Sequence, residues 1–128
     1  LLPVYSDPSS PFAVMHKLAD DLNWLGDDLA ALRTFDVLRA VDMINEWPSF
    51  ANTGTRIYAH GRQGVYGEFA AALDKRIKSI EVEKGIGSFA KLVRTRIYDS
   101  KEIKSVILHG MLRHFDLPDL KKWGATKH

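Results

Sequence analysis

Ile57-Tyr58-Ala59-His60-Gly61-Arg62-Gln63-Gly64 is the stretch on which the reading of this chain turns. Just before and into it, Thr55-Arg56-Ile57-Tyr58-Ala59 is rich in β-branched and aromatic residues, which favours a short strand. The run ends abruptly in glycines, and over residues 65–73 the pattern turns helical, with Ala70, Ala71 and Ala72 offering a small packing face. Asp74-Lys75-Arg76 closes that helix, and residues 77–82 return as a second strand. Strand, tight turn, helix and strand within about 30 residues make a βαβ unit, which implies parallel strands and a right-handed crossover. A sharp turn at a strand's carboxyl end also has a chemical use. It presents one side chain above the sheet and aims helix N-terminal amides at the same point.

Working outward, residues 27–47 read as a long helix capped by Asp27 or Asp28 and closed by Pro48. Leu29, Leu32, Leu38, Val41 and Ile44 form its expected buried stripe, with Arg33, Asp36, Arg39 and Asp42 facing solvent or partners. Residues 12–25 have helical spacing up to Gly26, residues 6–11 are a proline- and serine-rich loop, and residues 1–5 suit the end of a strand. A turn is expected at residues 51–54. Downstream, Ser88 caps an expected helix over 89–98, residues 101–108 fit strand or helix equally, and Asp116 caps a last helix with Pro118 in its first turn. Helix should exceed strand considerably. With only two or three strands available, sheet edges are left unpaired, which invites self-association.

Composition narrows the function classes. The chain has 128 residues, 45% hydrophobic and 27% charged, which suits one globular domain. Eighteen basic and 16 acidic residues are interspersed for a net charge of +2, so no nucleic-acid surface is expected. With no cysteine there is no disulfide, thiolate catalysis or cysteine-ligated metal. No uncharged run approaches the roughly 20 residues of a membrane span, and residues 1–4 lack the basic flank of a signal peptide. His16, His109, His114 and His128 show no paired spacing for zinc, and the aspartates at 20, 21, 27 and 28 lack a calcium loop. No cofactor is expected. The chain opens on Leu1 inside an apolar segment and reads as a piece of something longer.

The octapeptide resembles the nucleophile elbow of α/β-hydrolases, in which a small residue, His, Ser, any residue, Gly and Gly follow in order. The run Phe69-Ala70-Ala71-Ala72-Leu73-Asp74-Lys75-Arg76-Ile77-Lys78 resembles that family's next helix and strand, and residues 33–44 resemble the helix before the elbow. Gly110-Met111-Leu112-Arg113-His114-Phe115-Asp116-Leu117-Pro118 is similar to a segment of acetyl xylan esterase-like and prolyl-oligopeptidase-like hydrolases. The resemblance covers roughly residues 27–123. It implies an α/β fold of the hydrolase type: a short parallel sheet with flanking helices, here one incomplete domain over 1–128 without the strands that carry the catalytic acid and histidine. It implies a carboxyl-ester substrate, small or carbohydrate-linked.

Carried over residue by residue, the nucleophile position is Gly61, and His60, Arg62, Gln63 and Gly64 make up the elbow and its oxyanion-binding amides. Glycine cannot attack a carbonyl, and neither Arg62 nor Gln63 can replace it. His109 and His114 stand in the wrong order to serve as the family's histidine. An inactive esterase-like piece, a pseudo-hydrolase that binds without cleaving, and a structural or assembly module are all open at this stage. So is an ordinary glycine-rich strand-to-helix turn. A dinucleotide site is disfavoured, since Gly61, Gly64 and Gly67 lack a G-x-G opening. His60 can be an acid–base group or a mere neighbour of the apex. Arg62 can hold a carboxylate or phosphate, or simply face solvent.

Overall fold

A computed structural model describes residues 14–51, 53–98 and 103–125, so the expected strand at 1–5 and loop at 6–11 lie outside the described residues. The βαβ unit forms as its periodicity implies. Strand β1 (Thr55–His60), helix α3 (Gly64–Leu73) and strand β2 (Ile77–Glu83) follow one another, and the strands pair in parallel. Before them come helices α1 (Val14–Trp24) and α2 (Leu29–Glu46); after them come α4 (Phe89–Arg94) and α5 (Leu117–Ala125). Short 3₁₀ turns at Ile103–Val106 and Met111–Arg113 lie between α4 and α5, so the described part of the ambiguous stretch, residues 103–108, is neither strand nor α-helix. The molecule is a helix-rich α/β structure built on a two-stranded parallel sheet. Among the described residues no helix is long and apolar enough to cross a membrane.

Helix α3 is the centre of packing. Its Val65 and Phe69 join a cluster with Ala30, Phe89, Val106 and Leu117, while its Ala70 joins Val41 and Ile77 in a second cluster against the sheet. Phe69 also meets Phe115 edge-on at 6.4 Å between ring centres. Helix and sheet approach closely because α3 carries glycines where it crosses the strands. A Cβ on Gly67 would lie 2.7 Å from Ile80 Cδ1 and 3.3 Å from Ile57 Cγ2, and one on Gly64 would run into Val82 Cγ1.

The strands cover only one face with apolar contacts. Ile57 and Ala59 of β1 and Ile77, Ile80 and Val82 of β2 are turned inward, whereas Arg56, Tyr58, His60, Ser79, Glu81 and Glu83 are exposed. Inward residues of β2 change parity between 77 and 80 because the register shifts there: Thr55 pairs with Ile77 but Arg56 with Ser79, leaving Lys78 as the extra residue. On the bare face the Tyr58 hydroxyl donates to Glu83 Oε2 at 2.7 Å.

Helix α2 corrects the expected stripe. Leu29 and Val41 are buried, but Leu32 and Ile44 are 40% and 36% exposed, and Ala30 and Thr34 take the inner positions instead. Thr34 tolerates burial because its hydroxyl donates to Ala30 O one turn back at 2.8 Å. Asp28 is the N-cap, as expected of Asp27 or Asp28, yet its carboxylate does not bond the helix amides. It accepts from the His109 amide at 3.2 Å and pairs with His109 Nδ1, while His109 Nε2 accepts from Asn23 Nδ2 at 3.1 Å. That cluster fastens the α1–α2 corner to the segment between the 3₁₀ turns.

One buried charge gives a testable consequence. Glu68 on α3 is 5% exposed; its Oε1 lies 3.4 Å from Lys121 Nζ, and its Oε2 makes no hydrogen bond to the protein. Burial pushes the Glu68 carboxyl up from the usual range, and Lys121 only partly pulls it back. The native state therefore holds this proton more tightly than the unfolded chain. Its stabilising contribution is complete below the unfolded value, near 4.5, and fades as pH rises through the folded value. Glu68→Gln is expected to gain about 1 kcal/mol at pH 8 and little at pH 4, as read by urea unfolding at both values. An equal gain at the two pH values would show that the carboxyl is not the cause.

Candidate functional site

The chain passes from β1 into α3 in three residues. Gly61 N donates to Glu83 O at 2.7 Å, so the strand ladder runs one step past His60. Gly61 itself adopts φ +76°, in the left-handed region that glycine occupies without penalty. Bonds from Gly64 N to Gly61 O, Val65 N to Arg62 O and Tyr66 N to Gln63 O then wind the helix tightly from its first turn. Gln63 occupies the N-cap without a capping side-chain bond and is exposed. A Cβ built on Gly61 would meet only Gln63 Oε1, at 3.4 Å, so the apex has room for a side chain. The close approach of strand and helix falls at Gly64 and Gly67, three and six residues beyond the apex.

A second loop leaves the carboxyl end of β2 beside the first. Lys84 adopts φ +53°, uncommon for a residue with a Cβ and costing roughly 1–2 kcal/mol relative to a right-handed conformation. Gly85 follows in contact with the turn: a Cβ there would lie 3.5 Å from Gly61 O and collide with Val82 Cγ1. Ser88 then caps α4, its Oγ accepting from Lys91 N at 3.1 Å. Helix α4 ends at Arg94, four residues short of the expected Tyr98, as the backbone becomes extended at Thr95.

The amides that open α4 are already used. Asp116 Oδ1 accepts from Phe89 N (2.8 Å) and Leu117 N (2.7 Å), and Oδ2 accepts from Ser88 Oγ (2.5 Å) and Ala90 N (3.2 Å). One carboxylate thus closes the N-terminal ends of α4 and α5 together. Burial alone would raise its pKa, but these hydrogen bonds outweigh it and hold Asp116 below the usual carboxylate range.

Between the two loops lies a cleft of about 580 Å³ at the carboxyl ends of both parallel strands, the position where ligands bind in open α/β sheets. His60, Gly61 and Arg62 line it from the β1 side and Lys84, Ser88 and Lys91 from the β2 side. Four of the five residues singled out by the resemblance therefore lie at or beside one cleft: His60, Gly61 and Arg62 in its wall, and Gly64 in the helix start behind it. Gln63 does not line it. Lys84 and Lys91 were not foreseen. The hydroxyls of Ser88 and Thr95 in the wall are both engaged, with Asp116 and Lys91 O respectively. Among the described residues no three His, Asp or Glu side chains gather to hold a metal ion. Comparison with known proteins adds nothing to this picture: no family model matches the chain, and neither a curated protein nor a solved structure does.

Proposed function

We propose that this chain is the central portion of an α/β-hydrolase-type domain related to carboxyl-ester hydrolases of the acetyl xylan esterase kind, and that it is catalytically silent as it stands. The observation that carries the reading is the apex. Gly61 stands at the left-handed corner between a parallel strand and its helix, open to a cleft and with space for a side chain. That is the location at which such hydrolases present a serine, and glycine supplies no nucleophile.

The test is release of p-nitrophenolate from p-nitrophenyl acetate by the longest natural frame that carries residues 1–128. With Gly61 in place, release at the buffer rate is expected. Gly61→Ser should give a burst of one equivalent per protein molecule, since a correctly placed serine is acylated before it turns over. Turnover with Gly61 present would end the silent reading. A folded Gly61→Ser protein without a burst would remove the esterase machinery from the proposal.

A second reading has its own support. Among the described residues the cleft wall carries Arg62, Lys84 and Lys91 together with His60 and no carboxylate side chain, in a protein whose net charge is only +2. Such a wall suits a pseudo-hydrolase that retains an anionic ligand without cleaving it.

A further inference from the structure

We infer that the cavity enclosed by α3, β2 and α5 binds a small apolar alcohol or phenol through the Glu68 carboxyl. The site shares no lining residue with the cleft at the turn, so it goes beyond the hydrolase reading and does not depend on it. It is carried by one orphaned oxygen.

Among the described residues, Glu68 Oε2 is the one buried side-chain polar atom that lacks a hydrogen-bond partner. The buried hydroxyls of Thr34 and Ser88, by contrast, donate to Ala30 O and to Asp116 Oδ2. A carboxyl shielded from water and left half-bonded costs the fold stability. Lys121 does not remove that cost: its Nζ stands 3.4 Å from the other oxygen, Oε1, and its side chain is mostly exposed. Burial accordingly pushes the carboxyl up from the usual range. Glutamine or leucine at this position would serve the fold as well or better, so stability gives no reason for a glutamate. Groups that burden a fold in this way are retained where binding uses them.

Glu68 stands in the wall of a cavity of about 420 Å³, within the roughly 300–1,000 Å³ of small-ligand sites. Ala71, Ala72, Ile80 and Leu120 supply apolar wall, and Lys75 and Lys121 line it too. The terminal torsion of a glutamate is soft, so either carboxyl oxygen can turn to a guest. Charge in the lining selects the guest's polar group. An ammonium would meet lysines, and a carboxylate would meet Glu68. A neutral hydroxyl escapes both objections. It donates and accepts, so it completes Oε2 whether or not the carboxyl carries a proton. The apolar walls then take the carbon body.

Titration of the 15N-labelled chain with p-cresol, toluene and 4-methylanisole tests the assignment; the last keeps the oxygen but not its hydrogen. p-Cresol should saturably shift the Ala71, Ala72 and Ile80 amides and bind roughly tenfold more tightly than either comparator. Glu68→Leu should abolish that preference, so that p-cresol and toluene bind alike, without lowering the melting temperature. Equal affinities in the wild-type chain or a preference that survives in Glu68→Leu would overturn the inference. So would shifts confined to the apolar groove of Phe35, Phe115 and Trp123. The wild-type series decides the matter even where the leucine variant fails to fold. Failure here spares the hydrolase reading, whose ester burst is read at Gly61, and a silent, folded Gly61→Ser spares this one.

Discussion

Replacing Asp116 with alanine is expected to lower the unfolding free energy by about 3–4 kcal/mol, a large share of a typical small domain's stability. Four donors on two helices and a serine lose their acceptor at once: Ser88 Oγ, Phe89 N, Ala90 N and Leu117 N. Loss of one N-cap costs about 1 kcal/mol, and here two helix ends share the cap in a half-buried setting. Asp116→Asn keeps one acceptor oxygen and should cost roughly half as much. Because the folded pKa of Asp116 is depressed, its contribution is present above the unfolded value and is lost as pH falls through the folded one. The wild-type chain should therefore lose stability below about pH 4, and Asp116→Ala should lose less over the same interval. Urea unfolding between pH 3 and 7 reads both effects. A loss under 1 kcal/mol at pH 7 would mean that the shared cap is not holding α4 to α5.

Gly64→Val should be comparably damaging, at about 3 kcal/mol, through crowding. Even the first carbon of a side chain on Gly64 strikes Val82 Cγ1, with Val82 Cγ2 at 3.2 Å and Val82 Cβ at 3.3 Å behind it. Valine at 82 cannot swing clear, since both of its methyls face the glycine and its χ1 is stiff. The first turn of α3 must then lift from β2, taking buried Val65 with it. Val82→Ala in the same chain removes the obstructing methyls and should restore part of the loss. Thermal unfolding of the two single variants and the double variant measures this as a coupling energy. Additive losses would show that Gly64 is required for its backbone and not for the space it leaves.

Much of the centre of the fold was legible because local signals agreed there. The change from strand to helical spacing across residues 55–73, with glycines at the break, foretold β1, the turn, α3 and β2 to within a residue or two. Elsewhere the pattern was ambiguous for physical reasons. Leu32 and Ile44 look like core residues by spacing, but α2 packs through the flank bearing Ala30, Thr34 and Val41. Which flank packs depends on α3, and local sequence cannot say. The cleft was half visible. His60, Gly61 and Arg62 follow from the turn; Lys84 and Lys91 come from a loop that reaches the same place only through the parallel pairing. Asp116 was read as the cap of its own helix. Its second role, 27 residues away at Phe89, is a tertiary contact without a local signature.

The lopsided sheet has a consequence for how the chain assembles. Because Arg56, Tyr58, His60, Glu81 and Glu83 alternate with the inward residues, a slip of β1 or β2 by one position would press charged groups against α3. Each wrong alignment would bury ions without partners, whereas a sheet apolar on both faces would tolerate it. The bare face therefore specifies strand alignment, since the observed register is the one that keeps these groups away from α3.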